Sequence, residues 1–163
     1  MAIAKLEVRE MNEDIWKLAA ILVALCATAI LTGGGWYEQA VLDSAWPRNP
    51  NLVRPAEGGA NRKKFWIPAH VSGAASLALA LWGAWSAVLA RNATLTAIAI
   101  YILITLVTVG YFAPAVLKVE RDCVEPNASS SFAWVRRSRW RMVLAVSMNL
   151  AMVVAAVGFV VSR

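Results

Sequence analysis

The sequence contains one histidine and few other ionisable side chains beside its apolar segments. His70 is the first candidate for a general base, because histidine exchanges protons near neutral pH. Glu38 can accept a proton or pair with Arg141 or His70, and Arg141 can stabilise an anion. The sequence therefore predicts His70, Glu38 and Arg141 as a catalytic group. The structural alternatives are a His70 that hydrogen-bonds a neighbouring loop and a solvated Glu38, and Asp43 is expected to be solvated as well.

Aromatic and amide side chains near these positions can hold a hydrophobic ring. The residues predicted to contact a substrate are Tyr37, Trp46, Trp66, Tyr111 and Asn149. A purely structural role also fits the tryptophans, because tryptophans near helix ends form the aromatic belt of membrane proteins. Asn149 can equally form a hydrogen bond between helices, for which Thr105 and Thr108 are the expected partners.

The number of available ligands limits metal and cofactor chemistry. Cys26 and Cys123 are expected at different depths, which argues against a disulfide between them. No Cys–His pair at the spacing of metal ligands is present, so a thiolate metal site lacks ligands. The common non-haem iron triad needs two histidines. A metal at His70 and Glu38, completed by water or a second chain, is the remaining arrangement. The sequence requires no metal, and the cofactor is unknown.

The composition is that of a membrane protein. Of 163 residues, 60% are hydrophobic and 16% charged, with a mean hydropathy of +0.57, whereas soluble domains are roughly 45–50% apolar. About 20 residues cross a hydrocarbon core. We therefore predict a single transmembrane domain over residues 1–163, an all-α four-helix bundle with two long loops on one side. The predicted helices are residues 15–36, 66–90, 93–117 and 142–161, after an amphipathic segment at 1–14.

Charge distribution predicts the orientation. Eleven of the sixteen Lys and Arg residues lie in the long connections, residues 37–65 and 118–141, whereas residues 91–92 form the short turn. The positive-inside rule places the long loops in the cytoplasm, and we expect the inner membrane of a bacterium. These basic residues suit anionic lipid headgroups, and no motif for nucleic-acid binding accompanies them.

Alternating helix directions gather the candidate residues at one mouth of the bundle. Glycines 33–35 close the first helix and permit either close packing or a cavity wall of bare backbone. Pro68 is expected in the first turn of the second helix, where its missing N–H matters little. Pro114 is expected to kink or end the third helix.

Aromatic motifs mark the ends of the apolar segments. They are Trp36-Tyr37-Glu38 with Trp46, Phe65-Trp66-x-Pro68-x-His70, Tyr111-Phe112-x-Pro114, and Trp134 ahead of Arg139-Trp140-Arg141. Over residues 32–156 the sequence resembles the anthrone-oxygenase-like family of small four-span membrane proteins. The resemblance implies oxygen-dependent oxidation of an anthrone to an anthraquinone without an obvious bound cofactor. It identifies no catalytic residues.

Two functions are expected from these observations. The first is a membrane oxygenase that binds and oxidises a small hydrophobic aromatic or phenolic molecule at one mouth of the bundle. The alternative is a non-catalytic membrane subunit or small-molecule-binding protein that docks a partner through its long loops. The expected partners are the lipid bilayer, a hydrophobic small molecule, and a second copy or a partner membrane protein.

Overall fold

A computed structural model describes residues 2–122 and 128–163, with side chains for residues 11–118 and 131–163. The main helices are α1 (Ala2–Tyr37), α2 (Arg62–Ala84), α3 (Val88–Val107), α4 (Ala113–Asp122) and α5 (Ala128–Val161). A first π-helical turn, Glu38–Leu42, continues α1 into Asp43–Ala45, and a second, Thr108–Phe112, joins α3 to α4. No strand occurs within the described ranges, so the all-α prediction is confirmed.

Four helical stretches among the described residues are long and apolar enough to cross a membrane, as predicted. They are Met11–Ala45, Arg62–Ala84, Val88–Lys118 and Ser131–Val161. The amphipathic segment predicted over residues 1–14 is, from Ala2 onward, part of α1.

The short turn lies earlier than the sequence predicted. Residues 85–87 connect α2 to α3, and Ala87 has an extended backbone, with φ −98° and ψ 106°. Arg91 and Asn92, which were expected to form the turn, lie inside α3 because the Arg91 N–H already donates to the carbonyl oxygen of Ala87 at 2.8 Å. The Arg91 guanidinium lies 5.7 Å from the ring centroid of Trp85.

The long connections are shorter than predicted, because helices extend into them. The first is confined to residues 46–61, while α4 and α5 occupy much of residues 118–141. Cys123 lies outside the described residues.

Both prolines lie within helices. Pro114 does not end its helix. In a regular α-helix its ring would clash with the carbonyl group of Gly110, four residues earlier. The second π-helical turn, which directly precedes α4, is wider at this point and leaves room for the ring. Pro68 lies in the second turn of α2 rather than the first. This follows from an earlier helix start, where the Asn61 side chain accepts from the Lys64 N–H at 3.4 Å.

Small residues form much of the contact between helices. Helix α1 packs against α2 and α5, and α3 packs against α5. The fully buried residues here include Ala24, Ala80, Ala90 and Ala155. Small side chains let helix backbones approach closely, which is how helices associate when lipid surrounds them. Many large apolar side chains cover the outer surface instead.

The two ends of the bundle differ. At one end, residues from both long connections and from α4 form a buried group that we call the cap cluster: Trp46, Val53, Phe112, Val116, Trp134 and Val135. At the other end the C-terminal Arg163 contacts Asp14 at 3.1 Å and Ser86 at 3.1 Å. Both long connections therefore lie at the same end.

Candidate functional site

A cavity of about 390 Å³ lies among the helices at the end that carries the cap cluster. This volume falls in the range of small-molecule pockets. Its wall is mainly apolar, and the ionisable or hydroxyl side chains that line it are Glu38, Arg62, Lys63, His70, Tyr101, Thr108 and Arg141. Both π-helical turns contribute to the wall, through Glu38 and through Thr108 and Phe112.

Arg62 holds two carboxylates beside this cavity. Its Nη2 lies 3.0 Å from Oδ1 of Asp43, and its Nε lies 3.2 Å from Oε1 of Glu38. Asp43 is only 1% exposed, which corrects the expectation of a solvated carboxylate. The cause is the first π-helical turn, which continues the helix to Ala45 and carries Asp43 into the bundle. Glu38 pairs with Arg62 rather than with the expected Arg141 or His70.

Arg141 lines the cavity, and no carboxylate of the described residues contacts it. Its guanidinium donates to the hydroxyls of Thr108 at 3.4 Å and Ser138 at 2.5 Å. It lies 4.2 Å from the ring centroid of Phe112 and 5.8 Å from that of Trp134. Its Nε is buried without a hydrogen-bond partner among the side chains that the structure describes. Arg141 is thus a cation with unused capacity for an anion.

His70 has one ring nitrogen engaged by Tyr101. The Tyr101 hydroxyl lies 2.8 Å from the backbone carbonyl oxygen of His70, which can only accept, and 3.3 Å from His70 Nδ1. Donation of its single proton to the nearer carbonyl oxygen makes the hydroxyl an acceptor for Nδ1–H. These distances favour the neutral tautomer that carries its proton on Nδ1 and has Nε2 as an acceptor. Nε2 has no partner among residues 11–118 and 131–163. The Trp66 ring lies beside His70, with 5.6 Å between ring centroids.

Four of the predicted site residues meet at this cavity. Glu38, Trp66, His70 and Arg141 all line it. Sequence reasoning missed Arg62 and Tyr101. Tyr101 is the one tyrosine in the middle of an apolar segment, and that position was an available signal.

The other predicted contacts lie elsewhere. Tyr37 is 63% exposed, and Tyr111 is 44% exposed and accepts from Arg137 at 2.5 Å. Trp46 is buried in the cap cluster, where its ring packs edge-on against Trp134 with 5.6 Å between centroids. None of these three side chains lines the cavity.

Asn149 joins α5 to α1. Its Oδ1 accepts from the Thr28 hydroxyl at 3.1 Å, and its Nδ2 donates to the Thr28 carbonyl oxygen at 3.1 Å and to the Thr32 hydroxyl. The partners expected from the sequence were Thr105 and Thr108. They are not used because this face of α5 lies against α1.

The glycine run has two different roles. A Cβ at Gly34 would lie 2.6 Å from the Phe65 ring, and one at Gly35 would lie 2.8 Å from Met142, so both permit close helix approach. Gly35 also lines the cavity. Gly33 faces open space.

The described residues contain no group of side chains that would bind a metal ion. There, no three His, Cys, Asp or Glu side chains lie together as a metal site would need.

Comparison with known proteins finds no matching family model, curated protein or solved structure.

Proposed function

We propose that this chain is a multi-pass membrane protein of the anthrone-oxygenase-like type, which binds a small hydrophobic aromatic or phenolic molecule in the cavity and oxidises it. One observation carries the proposal. His70, whose Nε2 we take as an acceptor, and Arg141, whose guanidinium has no carboxylate partner in the described part of the chain, line the same mainly apolar cavity.

In this proposal His70 is the base. Its Nε2 removes a proton from an activated C–H or a phenol of the substrate. Negative charge then develops on the substrate oxygen, and Arg141 stabilises it in surroundings where water is scarce. Tyr101 holds the imidazole in the required tautomer. The Arg62 pairs with Asp43 and Glu38 hold the adjoining helix ends together.

The oxidation is balanced with dioxygen as the only co-reactant. The substrate anion transfers electrons to O2, a C–O bond forms at the deprotonated carbon, and the O–O bond breaks. For an anthrone, one CH2 group becomes a carbonyl group, and one oxygen atom of O2 leaves as water with the two hydrogens. The proton held by His70 returns to that water.

The reaction is tested by oxygen uptake with an anthrone, using protein in lipid nanodiscs. His70→Gln is expected to lower the rate by about 10²-fold or more, as loss of a general base does. Ser72→Ala is the control, because Ser72 is exposed on the same helix and does not line the cavity. Unchanged uptake in His70→Gln would refute the proposal. Binding without turnover in the wild type would favour the alternative, a non-catalytic binding protein.

The tautomer is tested directly by 15N NMR. Because His70 is the only histidine, 15N-histidine labelling reports on one residue. The wild-type spectrum is expected to show a protonated Nδ1 and an unprotonated Nε2. Tyr101→Phe should mix the tautomers and lower kcat with little change in KM. An unaltered spectrum and kcat in this variant would rule out the positioning role of Tyr101.

We also propose that the long connections lie in the cytoplasm and that the membrane is the inner membrane of a bacterium. The support is the excess of Lys and Arg in those connections. A reporter enzyme that works only outside the cytoplasm is expected to be active when it is fused to either terminus. Cytoplasmic termini would reverse the orientation.

A further inference from the structure

The cavity is closed towards the long connections. The loop of residues 46–61 folds over it, and Val53 and Ala60 form part of its wall. Val53 is 2% exposed and belongs to the cap cluster. A backbone hydrogen bond within the loop stabilises its fold: the Ala60 N–H donates to the carbonyl oxygen of Leu52 at 2.9 Å. A Cβ at Gly59 would lie 2.1 Å from the carbonyl oxygen of Asn51, so the loop is tightly folded.

The same cavity is open at the side. Ile67 on α2 lines it and is nevertheless 62% exposed, so this part of the wall reaches the outer surface of the bundle. The wall supplied by α3 and α4 includes Ile104 and Leu117. The side opening is our name for the gap beside Ile67, between α2 on one side and α3 with α4 on the other. In a bilayer it would face lipid.

The charges around the cavity define what can occupy it. Asp43 and Glu38 both contact Arg62 and act on Arg141 without contacting it. Among the described side chains, Arg141 contacts hydroxyls and ring faces. A guanidinium with a buried, unpaired Nε is matched best by an oxyanion that accepts two hydrogen bonds. The deeper wall, which includes Leu31 and Met148, is apolar.

We infer that the occupant is an amphiphilic organic acid that enters from the bilayer through the side opening, with its acid group on Arg141 and its apolar body against the deeper wall. The inference rests on the proposed function and specifies its ligand class and route. An acid of this kind would collect at a membrane surface where basic residues such as Lys64 attract anions.

The ligand class is tested with two fluorescent probes in zwitterionic nanodiscs, anthracene-9-carboxylate and the neutral 9-methylanthracene. The dissociation constant is calculated from the probe concentration in the lipid, so that unequal partitioning of the two probes into the bilayer does not count as binding. The wild type is expected to prefer the acid about tenfold or more, which is the worth of a hydrogen bond to a charged group. Arg141→Met should abolish the preference for the acid over the neutral probe. Arg137→Met is the control, because Arg137 is exposed on the same helix and lines no part of the cavity.

The route is tested by stopped-flow transfer of the acid from preloaded vesicles. Ile67→Trp is expected to slow association several-fold with little change in the dissociation constant. Val71→Trp is the matched control, since Val71 is 65% exposed one turn further along α2 and does not line the cavity.

The outcomes separate this inference from the proposed function. Equal affinity for the acid and the neutral probe would overturn the ligand class and leave the hydrophobic binding site intact. Equal association rates in the two tryptophan variants would overturn the route. If neither probe binds, the inference and the proposed binding function both fail.

Discussion

Replacing Arg62 with alanine is expected to lower the free energy of unfolding by about 3–5 kcal/mol, the usual consequence of leaving a buried charge without its partner. The Asp43 carboxylate is 1% exposed, and Arg62 Nη2, at 3.0 Å, is its ion-pair partner among the described residues. Glu38 would lose its ion pair in the same variant, since it contacts Arg62 Nε at 3.2 Å.

An ion pair with an exposed carboxylate supplies the comparison. Arg54 Nη1 and Glu57 Oε1 lie 3.4 Å apart in the loop, and the Glu57 side chain is 39% exposed. Glu57→Ala is therefore expected to cost about 1 kcal/mol or less. The contrast compares the loss of a cation that holds two carboxylates, one of them buried, with the loss of one exposed carboxylate.

The assay is equilibrium unfolding in mixed micelles with increasing SDS, followed by circular dichroism. A double variant, Asp43→Asn with Arg62→Met, removes both charges of the buried pair and should recover part of the loss, because replacing a buried pair with uncharged groups is often close to neutral. The reasoning is refuted if Arg62→Ala is no more destabilising than Glu57→Ala, or if the double variant is no more stable than Arg62→Ala.

Three further predictions concern packing and use the same unfolding assay. Gly83→Ala should cost about 1–3 kcal/mol, because its Cβ would lie 2.7 Å from the carbonyl oxygen of Lys17, whereas Gly33→Ala, which meets nothing within 4 Å, should stabilise by about 0.5–1 kcal/mol; equal effects would contradict the packing. Asn149→Leu should cost about 1 kcal/mol, as interhelical hydrogen bonds in membrane proteins do, and a neutral result would show that this side chain does not hold α1 to α5. Phe112→Ala should cost about 3–5 kcal/mol, since the ring is 4% exposed in the cap cluster, and a loss below 1 kcal/mol would mean that the cluster is loosely packed.

Composition and hydropathy alone predicted the all-α architecture and four helices of membrane-spanning length. These properties are local, because a run of about 20 apolar residues specifies a helix that can cross a bilayer whatever its neighbours are. The gathering of Glu38, Trp66, His70 and Arg141 also followed from the sequence, since alternating helix directions bring those helix ends to one side.

Helix ends were less predictable, because the chain continued through two π-helical turns that leave no hydropathy signal. The first of these turns carries Asp43 into the bundle beside Arg62, and the second allows the chain to pass Pro114 without stopping. Neither result can be read from a pattern of apolar residues, since both depend on a local change of helical register.

Polar partners were decided only by the tertiary structure. Helices that are apolar on every face carry no stripe that marks which side turns inward, so their rotation about the long axis is set by packing against neighbours. That rotation paired Asn149 with Thr28 and Thr32, and it brought Tyr101 to His70. The sequence determined which helices this protein has, and packing decided which of their polar groups meet.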